Sequence, residues 1–199
     1  MFRYIREIEF QTICNYVKEG ASVLDLGCGD CELLYRLIKN KNVRAQGIEI
    51  DEKEIYKCVK KGVSVLHEDI EYGLSEYKDN SFDYIVLQQS LSEVVKQPDK
   101  VIAEALRVGR KVIISFSNFV HYRARLQIFL KGKTPITPSL PYSWYDTPNL
   151  HFLSISDFIE YCKRRKIKIE KATYLGTKKR AYLFPNFFAL VGIFLISKN

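Results

Sequence analysis

Residues 23–34, VLDLGCGDCELL, place Gly27 and Gly29 between an apolar strand-like run and a helix-like one, with carboxylates at Asp25, Asp30 and Glu32 and thiols at Cys28 and Cys31. Glycines at such a turn let a ligand approach the backbone closely and leave N–H groups free at the helix start. A dinucleotide fingerprint requires a glycine at position 32, and this chain has Glu32. Carboxylates around the turn repel a pyrophosphate and favour a cation. S-adenosylmethionine, which carries an ammonium and a sulfonium, is the common cofactor of that description.

That cofactor calls for an acid at the end of the second strand, about 20 residues past the glycine turn, to accept hydrogen bonds from the ribose hydroxyls. GIEID supplies Glu49 there, and LHEDI supplies Asp69 after the third strand, with Ile70 as an apolar neighbour for the adenine ring. The Cys28-x-x-Cys31 pair sits where a helix start lowers a thiol pKa, but the adjacent carboxylates oppose a thiolate. The pair is therefore expected to pack as two small side chains. No metal site is expected, because Cys14, Cys58 and Cys162 provide no second pair at ligand spacing.

Strand-like runs alternate with helical periods through residue 117: SVLDLG and CELLYRLIKN, VRAQGIEI and EKEIYKCVKKG, VSVLHED, FDYIVLQ and PDKVIAEALRVG, then RKVIISFS. This alternation predicts a parallel sheet wrapped by helices. Gly20, Gly62 and Gly109 mark helix ends, and Pro98 suits a first helical turn. Ser154 and Asp157 have the spacing of a capping box. The run FFALVGIFLI near the end, about half of what a bilayer span needs, reads as a buried strand. Residues 118–152 hold four of the six prolines and the single tryptophan, which makes them an insertion rather than a connector. The 199 residues, 47% hydrophobic, are expected to form one domain with that insertion.

The net charge of +8 is divided unevenly, −4 over the first hundred residues and +12 over the rest. The densest basic run, KRRKIKIEK, alternates Ile167 and Ile169 with charged residues, as a half-buried strand does, and no RNA-stacking aromatic platform accompanies it. Nucleic acid is therefore not the expected partner. The N-terminal segment mixes charge into its apolar residues from the third position, unlike a signal peptide, and five cysteines without an export signal suit reduced thiols in the cytoplasm. No membrane association is expected.

On the segments VLDLGCGD, GIEID, DNSFDYIVLQQSL, LRVGRKVIISFSNF and RLQ, and above all PYSWYDTPN, nearly the whole chain resembles the MetW family of bacterial methionine biosynthesis proteins, within the class I S-adenosylmethionine-dependent methyltransferases. The resemblance implies an α/β Rossmann-like fold with a mostly parallel seven-stranded sheet and helices on both faces. It implies that Asp25, Gly27 and Gly29 form the loop for S-adenosylmethionine or S-adenosylhomocysteine, with Glu49 at the ribose and Asp69 near the adenine. It also implies homoserine O-acyltransferase as a partner. The chain departs from the family at Cys31, where a glycine is usual, and at Ser117, Val120 and Tyr122, where Pro, Gly and Trp are more usual.

The catalytic signals are sparse. Strand four is followed by LQQSLSEV, not the D/N-P-P-Y turn of base N-methylation, and no Pro-Cys nucleophile is present for cytosine C5 chemistry. Candidate general bases for an acceptor are His121, Asp146 and His151 in the insertion. Arg123, Arg125, Tyr142, Trp144 and Tyr145 suit either a substrate lid or a protein interface, where Trp, Tyr and Arg are the enriched anchors. The two alternatives to a partner protein are a free-standing small-molecule methyltransferase and an RNA methyltransferase using the basic half.

Overall fold

The computed structural model describes residues 2–93, 95–177 and 180–199. Its elements run α1 (Phe2–Tyr16), β1 (Ser22–Leu26), α2 (Glu32–Lys41), β2 (Arg44–Glu49), α3 (Glu52–Lys60), β3 (Ser64–His67), β4 (Phe82–Gln88), α4 (Ser90–Glu93), α5 (Pro98–Val108), β5 (Gly109–Ser117), α6 (Tyr122–Lys131), α7 (Ile155–Arg164), β6 (Lys168–Leu175), α8 (Pro185–Phe188) and β7 (Val191–Ser197). The strands form one seven-stranded sheet in the order β3-β2-β1-β4-β5-β7-β6. All neighbours are parallel except β7, which lies antiparallel between β5 and β6. The fold is the α/β Rossmann-like arrangement expected of the chain.

Period-2 alternation assigns the strands' side chains to two cores. Leu24, Leu26, Ile85, Leu87, Ile114 and Phe116 point into one, with Phe158 of α7 and Phe194 of β7. Val23, Tyr84, Val86 and Ile113 point into the other, under α1 and α2. Each central strand is therefore covered on both faces, which explains their nearly continuous apolar sequence. β7 is buried at all seven positions, although the apolar run begins earlier, with Phe187 and Phe188 in α8. Ser154 and Asp157 make both hydrogen bonds of a capping box, at 3.1 and 2.9 Å, and so fix where α7 starts. Gly109 ends α5 in extended backbone; a Cβ there would lie 2.4 Å from Ile85, so close approach of the two strands, rather than a left-handed cap, requires the glycine.

The chain order reverses between β1 and β4, whose neighbours lie on opposite sides of the sheet. In open α/β sheets, the carboxyl ends of the strands at this switch point form the crevice that holds ligands. Residues 118–152 supply α6 and an irregular segment tied by a Thr137–Leu140 bridge. Among the described residues, no helix is long and apolar enough to cross a membrane.

Candidate functional site

Gly27 and Gly29 both have positive φ, +73° and +52°. At Gly27 the space is tight as well: a Cβ would lie 3.1 Å from both Ile70 Cδ1 and Ser90 Cβ. Glu49, at the end of β2, accepts a 2.8 Å hydrogen bond from the Gly29 N–H through Oε2, and through Oε1 it accepts from the N–H groups of Ile50 and Asp51. The carboxylate thus holds the glycine loop and the start of α3 against each other. Gly27, Gly29, Glu49, Asp69 and Ile70 line one cavity of about 370 Å³, together with Gln88, Ser90, Glu93 and Lys96. Five of the six expected cofactor residues are thereby brought together at the carboxyl ends of β1, β2 and β3.

Asp25, the sixth, lies behind the loop and is only 1% exposed. Its Oδ1 has no hydrogen-bond partner, and Ser90 Oγ, on the wall of the same cavity, has none either. Burial, with the Glu49 charge adding to it, pushes the Asp25 carboxyl up to about 7. Asp30 and Glu32 play a different part from the one their sequence positions suggested. Lys61 Nζ binds both, at 3.2 and 3.0 Å, while Arg6 reaches Asp30 and Arg36 reaches Glu32. These cations neutralise two of the three acids around the turn. Asp25, half-protonated near pH 7, and Glu49 have no cationic partner among the described residues.

The thiols also differ from expectation. Cys31 takes a left-handed conformation, φ 56°, which turns its side chain toward α3, where it forms a disulfide with Cys58. The expectation of reduced thiols, with Cys28 and Cys31 merely packing as small side chains, is therefore corrected. Cys28 does lie close, its sulfur 3.3 Å from that of Cys31, but Cys31 is bonded to a residue 27 positions away, which only the placement of α3 brings near. Cys28 keeps a free thiol. Burial and the charges of Asp25, Glu49 and Asp30 push that thiol well above its ordinary range.

A second cavity, of about 280 Å³, shares Gly27, Gly29, Gln88 and Glu93 with the first and extends from them toward the insertion. Its walls include Glu9, Cys28, Gln89, Ser117, Ser139, Tyr142 and Asn149. Glu9 is buried and accepts a 2.9 Å hydrogen bond from Gln89 Nε2. Burial raises its pKa, and burial followed by the Glu9 charge raises that of Glu93. Sequence reasoning overlooked Glu9, although its signal was present: Ile5, Glu9 and Ile13 recur every four residues along one face of α1, so an acid occupies an otherwise apolar stripe. Gln89, which lines this cavity, holds positive φ (61°) without being glycine.

The candidate bases lie apart from these walls. His121 caps α6 by accepting from the Arg123 N–H through Nδ1, and burial helped by Arg123 pushes it down to about 4, so it is neutral near pH 7. Its Nε2 is buried without a partner, as is that of His151, whose backbone N–H donates to the Ser92 carbonyl. Asp146 is exposed. Of the aromatic residues, Tyr142 lines the second cavity, whereas Trp144 and Tyr145 pack edge to face and are each 74% exposed. Arg123 lies over Tyr122, and Arg125 donates to the Val120 carbonyl and lies over Phe187.

A switch-point crevice with a glycine cradle and strand-end acids defines the class of S-adenosylmethionine-dependent methyltransferase folds. A structure described as an S-adenosylmethionine-dependent methyltransferase, possible histamine N-methyltransferase, from Thermotoga maritima superposes with a TM-score of 0.69 at 15% identity, covering 100% of this chain and 91% of that one. The [4+2]-cyclase SpnF superposes at 0.67 with 16% identity, covering 95% of this chain and 80% of that one. Within that class, the model of the family "Methionine biosynthesis protein MetW" matches residues 7–196, and the chain belongs to this family. It is 29% identical over 188 residues to the "Bifunctional methionine biosynthesis protein MetXA/MetW" of Rhodopirellula baltica, a match covering 90% of this chain and 30% of that relative.

Proposed function

We propose that this MetW-family protein binds S-adenosylmethionine or S-adenosylhomocysteine in the switch-point cavity and acts in methionine biosynthesis together with homoserine O-acyltransferase. The observation that carries the cofactor assignment is the buried, unpartnered Oδ1 of Asp25 behind a cradle that a Cβ at Gly27 would fill. Glu49 would hold the ribose hydroxyls with its remaining lone pairs, Ile70 would pack on the adenine, and Asp69 would stand at the ring's edge. Glu49, and Asp25 once it ionises as pH rises through about 7, suit a cation. When bound, S-adenosylmethionine supplies an electrophilic methyl group on a sulfonium. The chain's own contribution is to orient that group and to present the Glu9–Glu93 cavity beside it.

The acyltransferase partner is supported by the relative in which MetXA and MetW share a chain. It is also supported by the exposed aromatic residues Trp144 and Tyr145, which line no part of the cofactor cavity. A free-standing small-molecule methyltransferase is the second reading, favoured by the adjoining cavity, in which raised carboxyls at Glu9 and Glu93 could accept a proton from an acceptor. Calorimetry with S-adenosylmethionine, S-adenosylhomocysteine and NAD tests the first claim: saturable binding of either sulfur ligand and none of NAD is expected, and the reverse overturns it. Affinity purification of the tagged protein from its own cells tests the second, with the acyltransferase expected among the retained proteins.

A further inference from the structure

Three sulfurs, those of Cys28, Cys31 and Cys58, lie within 4.8 Å of one another directly behind the cofactor loop. They differ in access. Cys31 and Cys58 are fully buried, while Cys28 lines the second cavity. They also differ in what they hold. The Cys31–Cys58 bond ties the end of the glycine loop to α3, and the Cys58 sulfur lies 3.1 Å from the carbonyl oxygen of Gly29, whose N–H is held by Glu49. The backbone at Cys31 is left-handed, which costs a non-glycine residue energy unless its surroundings maintain it.

From this arrangement we infer that Cys28, Cys31 and Cys58 form a thiol–disulfide exchange site that reacts with a low-molecular-weight disulfide through the second cavity and sets the affinity of the cofactor loop. In the oxidising direction, the Cys28 thiolate attacks one sulfur of the disulfide RSSR, and RS⁻ leaves. The Cys31 thiolate then attacks the Cys28 sulfur, 3.3 Å away, releasing the second RS⁻. Last, the Cys58 thiolate attacks Cys31, forming the Cys31–Cys58 bond and returning Cys28 to its thiolate. Two cysteine thiols lose two electrons and two protons, and RSSR becomes two RSH. The reverse sequence reduces the site. Because burial and neighbouring acids hold Cys28 as a thiol, exchange is slow near neutral pH and accelerates as pH rises.

The bond fixes Cys31 in the conformation the loop needs, so reduction leaves the loop to be ordered by the ligand. This last step rests on the cofactor reading given above. The test uses the full chain, incubated with mixtures of oxidised and reduced glutathione, alkylated and mapped by mass spectrometry. The wild type is expected to accumulate a Cys31–Cys58 link, Cys58→Ala a Cys28–Cys31 link, and Cys28→Ala to oxidise at least tenfold more slowly. Equal rates for Cys28→Ala and wild type, or free thiols at Cys31 and Cys58 throughout, overturn the exchange site. Calorimetry with S-adenosylhomocysteine is expected to show at least threefold weaker binding by the wild type after reduction. Equal affinities of the two wild-type forms overturn the coupling. If neither form binds the ligand, the cofactor reading fails, while the mapped links still decide the chemistry of the thiols.

Discussion

Two regions of the molecule are built on opposite plans. On the β1–β3 side, the functional groups are engaged from within: Glu49 accepts three backbone N–H groups, Lys61 joins Asp30 to Glu32, and a disulfide closes the loop onto α3. On the side of the insertion and α8, large apolar groups face outward, with Phe129 85% and Tyr182 80% exposed, among basic residues such as Arg123, Arg125 and Lys131. A small ligand needs a cradle held in place before it arrives, since every side chain it must order reduces its affinity. A protein partner can bury exposed rings and gain from their area. The contrast therefore supports the proposed division of work, with the cofactor at the first region and the partner protein at the second.

The largest effect that can break this division is loss of the complex. Trp144→Ala combined with Arg125→Ala should abolish co-purification with homoserine O-acyltransferase, since hot-spot anchors contribute roughly 2 kcal/mol or more each. Binding of S-adenosylhomocysteine should stay within about twofold, because neither residue lines its cavity. A pull-down and calorimetry on the same protein decide the matter; an intact complex would assign these side chains to a lid.

Next in size is Glu49. Its removal takes away acceptors for the ribose and also leaves the Gly29, Ile50 and Asp51 N–H groups without their partner. Glu49→Ala should weaken S-adenosylmethionine binding by about 1.5–3 kcal/mol, the range for hydrogen bonds to a charged group. Glu49→Gln, which keeps one acceptor oxygen, should lose less. Unchanged affinity in a folded Glu49→Ala protein would remove the ribose assignment.

Much of the fold and of the glycine loop was legible in the sequence, and the remainder was hidden for physical reasons. Alternating apolar runs, the Ser154–Asp157 spacing and the glycines at 27 and 29 are local signals, and local geometry realises them. The pairing of Asp30 and Glu32 with Lys61 spans 29 to 31 residues and depends on how α3 lies against the loop. The Cys31–Cys58 bond likewise depends on a left-handed residue where spacing alone suggests an ordinary turn. Glu9 was concealed by its helix: in a string it is one more charge on an amphipathic segment, and only the four-residue recurrence with Ile5 and Ile13 shows which face it occupies.

The smallest and most specific effect concerns Asp25. Its folded pKa, about 7, lies above the ordinary aspartate value of 3.8, so between these values the folded chain binds a proton that the unfolded chain releases. The stability this represents is complete below about pH 4 and is lost as pH rises through 7, amounting to about 4 kcal/mol for a shift of this size. Asp25→Asn removes the burial of a charge, so the ligand-free variant should melt higher than the wild type at pH 8 and show no such gain at pH 4. The cofactor reports the opposite sign. Ionised Asp25 favours the sulfonium, so wild-type affinity for S-adenosylmethionine should climb as pH passes 7, more steeply than for the uncharged sulfur of S-adenosylhomocysteine, and the variant should lose that difference. Melting curves at the two pH values, with calorimetry of both ligands, separate a stored charge from a merely buried one. Equal pH slopes for the two ligands in the wild type would show that Asp25 does not sense the sulfonium, leaving Glu49 as the acid of the cradle.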